Sequence, residues 1–161
     1  MTTKALFAAG CFWGVQYYFD EVPGVVKTTV GYTGGQTKDP SYESVCSHTT
    51  GHAEATLIEF DPEKVSYEVL LKQFFRMHDP TTLNKQGPDV GDQYRSAIFY
   101  FDDEQKELAE KIKKDQAQNF ENPIVTEITK AGTFYQAEDY HQKFTQRTGR
   151  GMCHVPFAPV E

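Results

Sequence analysis

Short apolar runs of strand length alternate along this chain with segments of helical period, and that alternation restricts the fold more than any other feature. Lys4–Ala9 is apolar and stops at Gly10, which predicts a buried strand. Phe12–Phe19 reads as a helix halted near Pro23-Gly24. Val25–Thr33 alternates, with Val26, Val30 and Tyr32 on one face, and ends at Gly34-Gly35. Ala53–Asp61 is the next strand. Ser66 can cap a helix running to about His78, whose Tyr67, Leu70, Leu71, Phe74 and Phe75 recur at helical spacing. Arg95–Phe101 is apolar on both faces, as a central strand is. Asp103 can cap a helix reaching about Phe120, with Glu107–Lys111 and Glu110–Lys114 as pairs on a solvated face. A strand near Val125–Ile128 and a helix starting close to Glu138 follow, and the tail from Gly149 is irregular.

Two polar, turn-rich stretches, Thr37–Thr50 and Asp79–Tyr94, read as long loops, which in a compact domain are often functional. With 161 residues and no repeat or linker, a single catalytic domain over 1–161 is expected. The economical arrangement is an α/β (α+β) two-layer sandwich with a mixed sheet: a ferredoxin-like core, long loops and an irregular C-terminal tail.

The net charge of −7 comes without any lysine/arginine cluster, so nucleic acid is not an expected partner. No apolar run approaches the roughly 20 residues of a membrane-spanning helix. The stretch between Lys4 and Cys11 is shorter than the ~7–15 apolar residues of a secretory leader, which favours a cytoplasmic location. Three cysteines, Cys11, Cys46 and Cys153, are an odd set that argues against a disulfide scaffold. Each can be a reactive thiol, a metal ligand or a core residue.

Gly10-Cys11-Phe12-Trp13-Gly14 lies where a strand gives way to a helix. Unpaired N–H groups at a helix start favour negative charge, and a cysteine there can have its pKa lowered from about 8.5 into roughly the 3.5–7.5 range. The thiolate is the nucleophile. Phe12 and Trp13 set two aromatic surfaces beside that sulfur, able to hold an apolar group such as an S-methyl. The plain alternative is that all three pack in the core. Strand alternation puts Glu54 on the face of Thr56, Ile58 and Phe60. A carboxyl buried there would have its pKa raised and could serve as a general acid. Equally, Glu54 could be a wet edge residue.

Gly10-Cys11-Phe12-Trp13-Gly14, Gly31-Tyr32-Thr33-Gly34-Gly35, Gly51-His52-Ala53-Glu54, His78-Asp79-Pro80, Gln93-Tyr94-Arg95-Ser96 and Ala137-Glu138-Asp139-Tyr140-His141-Gln142 resemble, in order and spacing, the peptide methionine sulfoxide reductases of the A type. The resemblance implies that Cys11 attacks the sulfoxide sulfur while Glu54 protonates its oxygen, leaving a cysteine sulfenic acid and methionine. It also implies that Tyr42 and Tyr94 donate hydrogen bonds to that oxygen, that Asp89 orders the site through water, and that Phe12 and Trp13 hold the methyl. The S-epimer is the implied substrate, free or in proteins, and no bound cofactor or metal is implied. Tyr42 and Asp89 fall within the two long loops, and Tyr94 closes the second.

A sulfenic acid must be removed before the next turnover, and a second thiol can condense with it. Cys153, in Gly149-Arg150-Gly151-Met152-Cys153-His154, has two glycines beside it to free the backbone. The family does not generally use the position of Cys46 for recycling. Met152 stands where the family often has tyrosine, and no cysteine follows Cys153, so the resemblance implies one recycling step with thioredoxin as reductant and a monomeric enzyme. Two rivals remain at this level. A thiol peroxidase or redox sensor would share the reactive cysteine, and a metal-binding module could draw on Cys46, His48, His52, Cys153 and His154, although their spacing fits no closed zinc pattern. His78 and His141 read as hydrogen-bonded structural histidines.

Overall fold

The computed structural model describes residues 2–47, 50–86 and 89–148. A six-stranded sheet is built from β1 (Thr3–Ala9), β2 (Val25–Thr33), β3 (Ala53–Phe60), β6 (Ser96–Tyr100), β7 (Glu127–Lys130) and β8 (Tyr135–Gln136). Its order is β7-β6-β1-β3-β2-β8. The four inner strands are antiparallel neighbours, and β7 joins β6 in parallel. The sheet is therefore mixed. Two helices, α1 (Phe12–Asp20) and α3 (Tyr67–Met77), connect the inner strands, giving the βαββαβ order of a ferredoxin-like core. A third long helix, α4 (Asp103–Gln116), precedes β7.

The sheet buries both faces. Ala5, Phe7 and Ala9 of β1, with Ile58 and Phe60 of β3, meet Tyr18 and Phe19 of α1, the Leu70-Leu71-Phe74-Phe75 stripe of α3 and Ile112 of α4. That cluster is the main core, and it follows from strand period on one side and helix period on the other. The opposite face, with Leu6, Ala8, Ala53, Ala55 and Phe99, is closed by Ala131 and Phe134 of the β7–β8 connection. Gly31 makes this closure possible: a Cβ there would lie 2.3 Å from the Tyr135 carbonyl oxygen and 2.5 Å from the Phe134 ring.

Several expectations need correction. Val26 does not share the buried face of Val30 and Tyr32. A register irregularity between Val25 and Lys27 turns it outward, leaving it 63% exposed. Thr37–Thr50 is not all loop, since it contains helix α2 (Tyr42–Cys46), nucleated by a reciprocal Ser41/Ser44 capping box. Asp79–Tyr94 contains a small hairpin, β4 (Lys85–Gln86) with β5 (Asp89–Val90), and a 3-10 turn at Asp92–Tyr94. The cap of α4 is Asp102, which accepts from Gln105 N, and Asp103 is the first helical residue. The segment after Glu138 is a 3-10 turn, Asp139–His141, followed by α5 (Phe144–Thr148). The tail from Gly149, with Cys153, lies outside the described residues.

Candidate active site

The site forms at the sheet end where β1 stops and α1 starts. Gly10 takes a positive φ of 95°, a turn that glycine makes without strain, and Cys11 becomes the residue capping α1. Register then sets the neighbours. Ala9 pairs with Ser96, so Tyr94 and Arg95, just before β6, arrive beside Cys11. Tyr32 pairs with Glu54, so these two side chains share the helix-covered face. Glu54 is buried, at 1% exposure, and its Oε1 accepts from the Phe12 N–H at 3.2 Å. The carboxyl is therefore docked on the first turn of α1, one residue from Cys11. Cys11 is 7% exposed. The wet-edge alternative for Glu54 is excluded.

The remaining groups surround this pair. Burial first, then the Glu54 carboxyl, pushes the phenols of Tyr42 and Tyr94 well above their ordinary range. Tyr94 also lies within electrostatic reach of Asp89, Cys46 and Cys11. The structure thus brings Cys11, Tyr42, Glu54, Asp89 and Tyr94 into one cluster, although three of them come from segments that read as irregular. Both phenols stay protonated and can donate. Cys46 joins them in the wall: burial raises its thiol, against hydrogen bonds with Tyr42 and Gln93 that act the other way. Its thiol therefore stays protonated at neutral pH.

The two aromatics differ. Phe12, 1% exposed, packs against Tyr32 and His141 at ring separations of 5.6 and 5.2 Å. Trp13 is half-buried and is the more accessible surface. It stacks on Phe144 at 4.0 Å, and its indole Nε1–H donates to His141 Nδ1 at 2.8 Å. With Nδ1 accepting, neutral His141 carries its proton on Nε2. Burial holds this imidazole below its ordinary value, against the pull of Glu138.

The other motif residues build the frame. His78 donates from Nδ1 to the Phe74 carbonyl and accepts from Ser96 Oγ at Nε2, tying α3 to β6. Buried Gln86 bonds Asp79 through both amide ends and holds the hairpin that carries Asp89. His52 accepts from Gly35 N and donates to the Thr37 carbonyl, so both its ring nitrogens are engaged by backbone. Among the described residues no group of His, Cys, Asp and Glu is arranged to hold a metal ion. Glu138 received no role from the sequence beyond its place in a motif. Its Oε1 accepts from the Tyr32 phenol at 3.0 Å and its Oε2 from the Tyr42 N–H at 3.1 Å. Gln142 pairs with the backbone of Val30 through both N–H and C=O, as a strand would.

A family model for peptide methionine sulfoxide reductase matches residues 3–161. The chain belongs to the peptide methionine sulfoxide reductase family. It is 56% identical over 148 residues to the peptide methionine sulfoxide reductase MsrA of Methanosarcina mazei, covering 91% of this chain and 70% of that protein. Against the MsrA of Pasteurella multocida it is 49% identical over 160 residues, covering 99% and 92%. Among solved structures, reduced Mxr1 from Saccharomyces cerevisiae superposes with a TM-score of 0.88 at 34% identity, covering 96% of this chain and 92% of that one. Mxr1 in complex with Trx2 matches with a TM-score of 0.63 at 25% identity, covering 89% and 84%. The mixed-sheet α+β architecture is thus the architecture of the family.

Proposed function

We propose that Cys11 is the nucleophile, Glu54 the general acid and Cys153 the recycling thiol of a methionine S-sulfoxide reductase. The family activity makes the chain a thiol-dependent oxidoreductase that reduces methionine sulfoxide. One observation carries the residue assignment: a fully buried carboxyl hydrogen-bonded to the N–H of the residue after Cys11. Burial disfavours its charged form while the Phe12 N–H favours it, and in the neutral form it can give up a proton beside a thiolate without repelling it.

The Cys11 thiolate attacks the sulfoxide sulfur as Glu54 protonates the oxygen. Tyr42 and Tyr94 donate to the same oxygen, whose charge grows as the S–O bond weakens. Trp13, with Phe12 behind it, receives the methyl, and Asp89 orders the polar side through water. The net step moves one oxygen from substrate to enzyme. Methionine leaves, reduced by two electrons, and Cys11 is oxidised to a sulfenic acid. The Cys153 thiol condenses with it, forming an S–S bond and releasing water.

Reach supports Cys153. Helix α5 begins at Phe144, whose ring lies on Trp13, and spans about 7.5 Å. Cys153 follows Thr148 by five residues, about 17 Å of extended chain, enough to return to the start of α1. The complex of the related Mxr1 with Trx2 supports a thioredoxin as the dithiol that reduces the disulfide. Both electrons then come from thiols, so no bound cofactor is needed. An odd set of three cysteines fits a reducing compartment, and the proposal places a monomeric enzyme in the cytoplasm.

The aromatic wall favours this over a thiol peroxidase, because a peroxide has no methyl to hold. The test is thioredoxin-coupled turnover with separated sulfoxide epimers. The S-epimer should be reduced and Cys11→Ser should be inactive. Sustained turnover by Cys153→Ser with thioredoxin would overturn the assignment of Cys153.

A further inference from the structure

We infer that Glu138 is a positioning residue for sulfoxide reduction: its carboxylate holds Tyr42 where the phenol reaches the departing oxygen. The inference rests on the reading of Tyr42 as an oxygen donor and adds the residue that sets its place.

Tyr42 is the first residue of α2, a helix of five residues with no core of its own beyond Val45. So short a helix does not fix its own position, and its capping box satisfies only groups internal to the Ser41–Ser44 turn. From the Tyr42 backbone a 3.1 Å bond runs from the N–H to Glu138 Oε2, while the ring lies against Trp13 and His141 at 6.2 and 4.5 Å. The other carboxylate oxygen is held by the phenol of fully buried Tyr32. Tyr32 in turn faces Glu54 across the β2–β3 ladder and packs on Phe12. One carboxylate therefore links the Tyr42 backbone to Tyr32, the cross-strand neighbour of the proposed proton donor.

The electrostatics agree with the geometry. Burial acts to raise the Glu138 pKa, but the N–H groups of Tyr42 and of Glu138 itself, the Tyr32 phenol and nearby His141 outweigh it, and the net shift is downward. The group is thus an anion at neutral pH, and its bonds are charge-assisted. Its two oxygens are hydrogen-bonded to Tyr32 and Tyr42. Its effect on catalysis runs through Tyr42.

The decisive experiment compares Glu138→Ala and Glu138→Gln in the wild-type and Tyr42→Phe backgrounds. The readout is the single-turnover rate of S-sulfoxide reduction at saturating substrate. With Tyr42 intact, Glu138→Ala should slow reduction about 10- to 100-fold, and Glu138→Gln, which keeps one acceptor oxygen, should fall between it and wild type. In the Tyr42→Phe background the same change should cost less than about threefold, because the group it positions is gone. A single cooperative thermal unfolding transition and an unchanged far-UV circular dichroism spectrum should be kept in every variant, which separates slowed chemistry from loss of fold. Equal losses in both backgrounds, or no loss with Tyr42 intact, would refute the role of Glu138 alone. No effect of Tyr42→Phe by itself would refute the donor role of Tyr42, and this inference with it.

Discussion

Replacing Glu54 separates its two jobs. Its Oε1 accepts the Phe12 N–H at 3.2 Å, and its carboxyl proton is assigned to the sulfoxide oxygen. Glu54→Gln keeps an acceptor oxygen of the same reach and loses the acid. General acids contribute about 10²–10⁴-fold, and two tyrosine donors remain at the oxygen, so the expected loss in single-turnover rate is about 10²–10³-fold. Stability should stay within about 1 kcal/mol of wild type. Glu54→Ala loses the acid and also strands a buried N–H at the head of α1, which costs about 1–3 kcal/mol. For a chain of this size that is a drop of roughly 3–10 °C in Tm. The assay is rapid-quench measurement of methionine formed from the S-sulfoxide, paired with thermal unfolding. A Glu54→Gln variant reducing within about threefold of wild type would refute the reasoning, since the amide cannot donate a proton of comparable acidity.

Other consequences are as direct. His141 is held below its ordinary 6.5 by burial, so below about pH 6.5 the unfolded chain binds a proton that the folded chain refuses. Stability should fall as pH falls from 6.5 toward the lower folded-state value, and His141→Gln should flatten that part of the curve in pH-dependent unfolding. Protonation also removes the acceptor for the indole N–H, and Trp13 is the only tryptophan, so its emission should shift in the same window. Gly31→Ala should destabilise by about 1–3 kcal/mol in denaturant unfolding, because a Cβ would overlap the Tyr135 carbonyl and the Phe134 ring.

The periodic parts of the chain were legible because one force dictates both pattern and packing. The Leu70-Leu71-Phe74-Phe75 stripe and the alternation through Glu54 to Phe60 each point to one buried face, and the fold uses those faces. The departures arise where local hydrogen bonding decides. Ser41 and Ser44 nucleate α2 through side-chain bonds that no apolar period signals. Val26 is turned outward by a backbone irregularity. Strand parity places Glu54 on the face of Thr56, Ile58 and Phe60 but leaves a wet position at the strand start equally open, and its partner could not be inferred, because Phe12 lies 42 positions away. Glu138 was legible only as one letter of a motif. Its role depends on three segments meeting at one carboxylate, and only the folded chain brings them there.

The most direct test of the mechanism is chemical analysis of the Cys153→Ser variant after one equivalent of methionine S-sulfoxide. The account predicts one equivalent of methionine and a protein one oxygen atom heavier, with the oxygen trapped by a sulfenic-acid reagent on Cys11. Oxygen found on Cys46, or methionine formed with both Cys11 and Cys46 still thiols, would contradict it.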